Sequence, residues 1–268
     1  LKHSGWDCVG ATMTLYRNED IGISRSRTCC SLEDVEDARS VAFRLRIPYY
    51  VFNFSDEFRR QVMDRFADAY GQGRTPNPCI DCNRYLKFRH LYDRAVLLGC
   101  DAIATGHYAR IERENGRYLL KKALDSSKDQ SYVLYMLTQE QLAHTQFPLG
   151  ALRKAETRQL ADSLGFFNAR KPDSQDICFV PDGDYAAFIR RHTGKADTPG
   201  DFVDESGRIL GRHKGIAHYT IGQWKGLGIP FNQPLYVKAI DPKSNQVILS
   251  GNDALFFQQL TGENFNWI

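Results

Sequence analysis

Two cysteines stand three positions apart in the stretch GRTPNPCIDCN (residues 73–83), at the start of a predicted helix. The unpaired N–H groups and the dipole at a helix N-terminus stabilise negative charge, including a thiolate. We therefore expect a lowered pKa and a reactive thiol at Cys82, and also at Cys79. A structural zinc site would need two further ligands, and the sequence holds no second CxxC pair and no HxxxH pair.

A further cysteine, Cys178, lies in the polar stretch RKPDSQDICF (residues 170–179), seven and eight positions after two basic residues. A reactive cysteine in each of two separate loops suggests a pair that meets in space, one thiol attacking and the other resolving. The residues alone leave open the alternative of two unrelated thiols.

Three other polar stretches could bind a ligand. In ATGHY (residues 104–108) Gly106 would let a ligand approach the backbone, and His107 could contact a phosphate or a base, or be a satisfied loop histidine. Lys128 stands at the predicted start of a helix, where the dipole prefers an acid, and this local exception hints at a phosphate contact. Residues 215–228 interleave aromatic and cationic residues with glycines, as a base-stacking surface or a turn-rich basic edge would.

The first half of the chain alternates predicted strands and helices. Strands are expected at Cys8–Tyr16, Tyr49–Phe54 and Asp101–Thr105. Ser31 is the expected N-cap of a helix that runs to about Arg46, and Ser55 is the expected cap of the next helix. A third helix is expected around an apolar stripe of Phe88, Leu91, Ala95 and Leu98. This order predicts right-handed crossovers and a parallel sheet. Because ligands bind beyond the carboxyl ends of such strands, the loops after Thr14, Phe54 and Thr105 should carry the chemistry.

The rest of the chain divides into a helical and a β-rich part. Asn115-Gly116 predicts a hairpin between Ala109–Arg113 and Arg117–Lys121. Helices are expected at Asp129–Leu137, Gln139–Thr145, Lys154–Leu164 and Asp184–His192. From about Gly194 the segments become short and rich in glycine and β-branched residues. We expect a catalytic domain over residues 1–192, a small β-rich domain over 193–255, and the start of a further β domain over 256–268.

Composition excludes several classes of protein. The 268 residues include 16 Phe and 13 Tyr, too many for a disordered chain, and no apolar run approaches the length of a membrane span. Seven cysteines, an odd number, without a recognisable secretory signal, disfavour a disulfide framework and favour a reducing cytoplasm. The net charge of +3 permits only a local basic surface.

Five stretches taken together, GRTPNPCIDCN, ATGHY, KDQSYVLYML, SQDICF and HYTIGQWKGLGI in this order, resemble the tRNA-specific 2-thiouridylase family. The resemblance runs from about Asp7 to the end of the chain. It implies an α/β fold with a parallel-sheet pyrophosphatase-loop domain (adenine nucleotide α-hydrolase-like), a small β-rich central domain, and a C-terminal β-barrel. The implied reaction uses ATP and Mg²⁺ to activate C2 of the wobble uridine in a tRNA anticodon loop. Sulfur from a cysteine persulfide, supplied by a donor protein, then replaces the oxygen.

The matching motifs also imply roles for individual residues. Cys82 corresponds to the nucleophilic cysteine and Cys178 to the cysteine that carries the persulfide. Asn77, Pro78 and Cys79 match the segment that touches the target base. His107, Lys128, Asp129 and Gln130 match tRNA-contacting positions. Met13 and Gly106 match positions that line the ATP site.

The sequence departs from the family pattern in three ways. The family's N-terminal Ser-Gly-Gly-Val-Asp-Ser phosphate loop is absent, and we expect an upstream segment to be missing. The C-terminal barrel is absent or only begun. Cys79 replaces an aspartate common in relatives, and Cys79, Cys82 and Cys178 would suit an iron–sulfur cluster with one open iron as an alternative sulfide carrier. A catalytically incomplete tRNA-binding protein and a generic adenylating ligase of the same fold are further alternatives.

Overall fold

The N-terminal part of the protein is built on two parallel strands. A computed structural model describes residues 1–22, 32–170, 176–230, 233–263 and 265–268. Strands β1 (Gly10–Thr14) and β2 (Tyr49–Asn53) pair in parallel along their whole length, and helix α1 (Leu32–Leu45) precedes β2. The predicted strand–helix–strand order is confirmed, while the predicted cap Ser31 lies outside the described residues.

The helical run after β2 packs one face into a hydrophobic core that contains Phe58, Phe66 and Phe179, called here the first core. It comprises α2 (Ser55–Phe58), a π-helical segment (Arg59–Met63) and α3 (Asp64–Gly71). The prediction that Ser55 caps this run was wrong, because Ser55 is its first helical residue. The Asn53 side-chain oxygen accepts hydrogen bonds from the Ser55 N–H and hydroxyl, at 3.0 and 2.6 Å.

A second helical run carries the paired cysteines. It comprises α4 (Pro78–Asp81), a π-helical segment (Cys82–His90) and α5 (Leu91–Leu97). Proline is suited to the first helical position, where no N–H donor is needed. The Asn77 side chain caps the helix by accepting a hydrogen bond of 3.1 Å from the Cys79 N–H.

The expected single parallel sheet is present as two separate parallel pairs. Strand β3 (Ile103–Ala104) pairs with β6 (Thr145–Gln146) rather than with β1 or β2. Backbone bonds from Ile103 to His144 and from Thr105 to Gln146 extend this pairing at both ends. The parallel orientation is therefore confirmed, but β3 takes its described partner from later in the chain.

The predicted hairpin is confirmed. Strands β4 (Ala109–Glu114) and β5 (Arg117–Lys122) pair antiparallel, and Asn115 and Gly116 have φ of 50° and 79°. Two successive residues with positive φ are what a tight two-residue turn of this type requires. The base of the hairpin meets Gly150, where an added Cβ would lie 1.7 Å from the Ala109 carbonyl oxygen.

One predicted helix is replaced by a turn. Between residues 129 and 137 only Ser131–Val133 is helical, as a single 3₁₀ turn. The Asp129 carboxylate accepts hydrogen bonds from the Ala123 N–H at 2.8 Å and the Ser131 hydroxyl at 2.7 Å. A short acidic side chain that bonds nearby backbone and hydroxyl groups competes with helix formation.

The remaining predicted helices are present with shifted ends. They are α6 (Gln139–Ala143), α7 (Lys154–Ser163) and α8 (Tyr185–Thr193). Helix α8 packs Phe188 into the first core, beside Phe58, Phe66 and Phe179. No helix in the described ranges combines the length and apolar character that crossing a bilayer requires.

The C-terminal part forms a four-stranded sheet with its own core. The strands are β7 (Gly200–Val203), β8 (Ile209–His213), β9 (Tyr236–Asp241) and β10 (Gln246–Ser250), in the order β8-β7-β10-β9. Phe202, Val237 and Val247 are fully buried at its centre. The β-rich character expected after Gly194 is confirmed, while the exact domain limits stay a prediction.

Candidate active site

A polar cleft of about 450 Å³ lies where β1 and β2 end. Tyr16 and Arg17 reach it from the loop after β1, and Asn53 and Ser55 from the end of β2. The loops after Thr14 and Phe54 therefore meet at the carboxyl edge of this strand pair, and their role in the chemistry stays a prediction. The loop after Thr105 does not line this cleft.

The two cysteine-bearing segments pack against the same hydrophobic core. Cys82 and Cys178 are both partly buried, and both contact the cluster that contains Phe58, Phe66 and Phe179. Neither cysteine forms a disulfide in this structure. Two segments 96 positions apart in sequence thus reach one region of the fold, as a pair of cooperating thiols requires.

Hydrogen bonds from two tyrosine hydroxyls hold the segment around Cys178. The Tyr16 hydroxyl donates to the Cys178 carbonyl oxygen at 2.6 Å, which ties this segment to the end of β1. The Tyr185 hydroxyl donates to Asp176 at 2.8 Å, and the same carboxylate oxygen accepts the Ile177 N–H at 2.7 Å. Burial, followed by the adjacent Asp176 carboxylate, raises the pKa of Tyr185 to about 12.

The expected lowering of the Cys82 pKa was wrong. Burial raises the pKa of the Cys82 thiol above its ordinary value, and neighbouring Cys79 and Asp81 add to the effect. The helix begins at Pro78, so Cys82 lies beyond the first turn, where the helix dipole stabilises an anion only weakly. Desolvation of the thiolate therefore outweighs the benefit of the helix terminus.

Lys87 opposes the rise in the pKa of Cys82, and the sequence analysis did not single it out. Its positive charge lowers the pKa of Cys82, against the larger effect of burial. Both residues lie in the π-helical segment, in which residues five apart stand on the same face. The spacing of Cys82 and Lys87 is five, a signal that ordinary helical periodicity does not reveal.

The residues matched to the target-base segment form the start of the Cys82 helix. Asn77 and Cys79 are exposed, whereas Pro78 is buried. Asn77 acts structurally as the helix cap. The exposed Cys79 thiol and Asn77 are accessible to a ligand, and their contact with a base stays a prediction.

His107 is buried between aromatic rings. Its ring lies 5.9 Å from Phe88 and 5.8 Å from Phe147, and its Nδ1 is 2.7 Å from the Thr105 hydroxyl. Burial and then the charge of Lys87 lower the pKa of His107 to about 3, so the ring is neutral at physiological pH. Adjacent Gly106 is exposed, and an added Cβ there would make only an ordinary contact of 3.7 Å with Leu149.

The Lys128-Asp129-Gln130 segment presents an exposed lysine on a braced turn. Asp129 bonds Ala123 and Ser131, as described above, and the Gln130 side chain accepts the Tyr108 N–H at 3.0 Å. The Lys128 side chain is exposed. Its predicted contact with RNA phosphate stays a prediction.

A buried amide joins this region to the cysteine helix. Asn83, which follows Cys82, is 1% exposed, and its side-chain NH₂ donates to the Val133 carbonyl at 3.0 Å. The bond connects the helix that carries Cys82 to the turn that follows Lys128. Met13, the residue matched to the ATP site, lies in β1 and packs against the same core as Cys82.

The iron–sulfur alternative is not supported by the cysteine geometry. Across the described ranges, no group of three or more His, Cys, Asp or Glu side chains is arranged to hold a metal ion. Cys79, Cys82 and Cys178 all lie within those ranges. They therefore do not form the three-ligand set that an open-iron cluster would need.

Comparison with known proteins identifies the family. The family described as "tRNA methyl transferase HUP domain" matches residues 1–182, and "tRNA methyl transferase PRC-barrel domain" matches residues 186–251. The tRNA-specific 2-thiouridylase MnmA of Clostridioides difficile is 49% identical over 270 residues, covering 100% of this chain and 74% of that protein.

Two further relatives give the same picture. The tRNA-specific 2-thiouridylase MnmA of Lachnoclostridium phytofermentans is 51% identical, over 99% of this chain and 75% of its own length. MnmA 1 of a Thermoanaerobacter species is 52% identical, over 100% of this chain and 74% of its own length. With half of all positions identical across the whole chain and a HUP domain followed by a PRC-barrel domain, the chain belongs to the tRNA-specific 2-thiouridylase family.

Proposed function

We propose that this protein thiolates tRNA, converting the wobble uridine to 2-thiouridine with ATP as the activating substrate. The observation that carries the proposal is the match along the whole chain to relatives named tRNA-specific 2-thiouridylase. The convergence of Cys82 and Cys178 on one core supports it, because the reaction needs two thiols.

Activation must precede sulfur transfer because an amide-like carbonyl oxygen is a poor leaving group. In the proposed first step, the C2 oxygen of uridine attacks the α-phosphorus of ATP and pyrophosphate leaves. The C2–O bond then carries AMP, a good leaving group. The protein holds the base in place, and recognition of an anticodon loop makes the unstacked base accessible.

The second step transfers sulfur from Cys178. The terminal sulfur of a Cys178 persulfide attacks C2 and AMP departs, leaving a disulfide between Cys178 and the base. The Cys82 thiolate then attacks the Cys178 sulfur, and the electron pair of the broken S–S bond passes to the sulfur on C2. The products are 2-thiouridine and a Cys82–Cys178 disulfide, which a dithiol reductant reopens.

A variant of this route gives the same products. Cys82 can attack the persulfide directly and release hydrosulfide, which then displaces AMP from C2. In both routes Cys82 reacts as a thiolate, although burial raises the pKa of its thiol. Lys87 is the described cation that favours this thiolate, so we assign it a positioning and electrostatic role toward Cys82.

The remaining residues would hold the two substrates. We propose that Lys128 and the braced residues Asp129 and Gln130 contact the tRNA backbone, that Asn77, Pro78 and Cys79 meet the target base, and that His107 supports the same surface from behind. Met13 and Gly106 would line the ATP site. Mg²⁺ would arrive with the nucleotide phosphates and neutralise the pyrophosphate, since the described carboxylates do not form a metal-binding group of their own.

The proposal also implies a partner and a compartment. We propose that a sulfur-donor protein loads Cys178 with its persulfide. We propose that the reaction takes place in the cytoplasm, since the relatives are named for acting on tRNA.

The test measures 2-thiouridine in tRNA by mass spectrometry. A strain lacking this gene is complemented with the full-length wild-type protein, or with its Cys82→Ser, Cys178→Ser or Cys100→Ser variant. Cys100 is a matched control because it is also partly buried but packs against a different core. We expect the first two variants to abolish thiolation with tRNA affinity nearly intact, and the control to restore it. Near wild-type thiolation by either Cys82→Ser or Cys178→Ser would disprove the two-cysteine mechanism.

A further inference from the structure

Three arginines from distant parts of the sequence reach the polar cleft at the ends of β1 and β2. Arg17 follows β1, Arg59 opens the π-helical segment after α2, and Arg191 lies near the end of α8. None of them belongs to the motifs that carry the family resemblance. Each comes from a different element, so their meeting in one cleft of about 450 Å³ is a property of the fold.

The charges of these arginines are not equally neutralised. Arg17 pairs with Asp20 at 3.5 Å, and Asp20 also accepts the Arg17 backbone N–H at 2.8 Å. Arg59 and Arg191 are exposed, and neither guanidinium makes an ion pair or a hydrogen bond with any residue that the structure describes. Glu19 and Asp56 also line the cleft, so its net charge is balanced while its two unpaired guanidinium groups remain available.

Arg191 is positioned by its surroundings. The neighbouring His192 bonds Asp64 at 2.6 Å, which fixes the end of α8 against α3. The Arg191 guanidinium lies directly against the backbone of Gly22, where an added Cβ would come within 2.5 Å of its Nη1. Gly22 also has a φ of +73°, which favours glycine. The absence of a side chain at this position therefore leaves the space that the guanidinium occupies.

We infer that Arg59 and Arg191 form a phosphate-binding site in this cleft. A guanidinium offers planar, paired N–H donors that match the oxygens of a phosphate group, and two such groups at one cleft can hold one anion from two sides. Two sources of phosphate fit: the pyrophosphate portion of a nucleotide, or the RNA backbone beside the target base. The naming of these two sources rests on the proposed function, whereas the site itself rests on the cleft and its arginines.

The test compares two phosphate probes on the full-length protein. Binding of inorganic pyrophosphate is measured by calorimetry, and binding of a fluorescent tRNA anticodon stem-loop by anisotropy over a range of salt concentrations. The variants are Arg59→Ala and Arg191→Ala, with Arg60→Ala as the matched control. Arg60 is an exposed neighbour on the same π-helical segment and does not line the cleft. Arg60→Ala therefore removes the same charge but leaves the cleft unchanged.

We expect each cleft variant to weaken binding of one probe about tenfold at low salt, the usual scale for one charge-assisted contact, and the control to change it little. Loss of pyrophosphate binding alone identifies the nucleotide as the source. Loss of RNA binding, with the salt dependence reduced by about one unit of slope, identifies the RNA backbone.

Wild-type affinity for both probes in both cleft variants would overturn the inference, and so would an equal loss in Arg60→Ala. Wild-type protein that binds neither probe would overturn it as well. Thiolation is measured separately, so a protein that loses pyrophosphate binding in the cleft variants but never thiolates tRNA would retain the site and reject the proposed function.

Discussion

Replacing Lys87 with Met should change the reactivity of Cys82 in opposite directions at low and high pH. The substitution removes the charge and keeps an unbranched side chain of similar length. Lys87 favours the Cys82 thiolate and stands on the same face of the π-helical segment. Without Lys87, no positive charge from this position offsets the effect of burial, so the pKa of the Cys82 thiol rises further.

The size of the effect follows from Coulomb's law. Two unit charges roughly 8 Å apart interact by about 2 kcal/mol at an effective dielectric constant of about 20. Lys87 is partly exposed, so we reduce this to about 1 kcal/mol for screening. The thiolate fraction at neutral pH should then fall about fivefold. A more basic thiolate is also about twofold more nucleophilic, so the observed rate should fall only about 2.5-fold.

The assay follows the reaction of Cys82 with a small aromatic disulfide across a range of pH. Mass spectrometry of peptides reports each cysteine separately, so exposed Cys79 does not obscure the result. Above the pKa, where all the thiol is ionised, the Lys87→Met protein should react about twofold faster than wild type. The two pH–rate curves therefore cross. Arg89→Met is the control, because Arg89 is exposed on the same helix and is not among the charges that shift Cys82.

Two results would refute this reasoning. One is a pH–rate curve for Lys87→Met that coincides with wild type, and the other is an equal displacement in Arg89→Met. His107 gives an independent check, since Lys87 also contributes to lowering its pKa to about 3. Loss of Lys87 should raise the pKa of His107, as followed by NMR of the imidazole, while its burial keeps the ring neutral at physiological pH.

Further predictions concern the support around the site. Asp176→Asn should lower the pKa of Tyr185 from about 12, because the carboxylate accepts a hydrogen bond from the neutral phenol and its negative charge opposes ionisation of the phenol; ultraviolet titration of tyrosinate measures this, and an unchanged titration would contradict the hydrogen bond. In the wild type, this pKa lies above the ordinary 10.0, so the phenol's contribution to the free energy of unfolding is full below pH 10 and is lost between about pH 10 and 12. Gly150→Ala should cost about 3 kcal/mol or more in denaturant unfolding, because its Cβ would lie 1.7 Å from a carbonyl oxygen. Gly71→Ala, with no atom within 4 Å of its added Cβ, is the control and should be nearly neutral, and an equal loss in both variants would contradict the close contact at Gly150.

Local sequence signals predicted the elements that depend on local chemistry. The Asn115-Gly116 pair identified the hairpin, because a turn with two positive φ values requires residues of this kind. Apolar periodicity located α7 and α8 to within a few residues. Strand direction alone also predicted that the loops after β1 and β2 lie at one edge of the strand pair, where the polar cleft is found.

Features that depend on distant partners could not be predicted in this way. The partner of β3 is set by residues 144–146, about 40 positions later, and no local pattern specifies it. The pKa of Cys82 depends on how deeply the fold buries the sulfur, and the position of Cys82 relative to the helix terminus suggested the opposite direction. The importance of Lys87 needed the π-helical geometry, and the meeting of Arg59 with Arg191 needed the tertiary fold.

The long π-helical stretch after Cys82 has a consequence for how this protein tolerates changes in length. Hydrogen bonds between residues five apart accommodate more residues per turn than an α-helix does, so removing a residue there could let the backbone relax toward ordinary α-helical winding. Such a deletion would rotate Cys82 about the helix axis relative to Phe88 and Leu91, which pack further along the same helix. A side-chain substitution in this stretch alters single contacts, whereas a one-residue deletion would change the direction in which the Cys82 thiol points relative to the hydrophobic core.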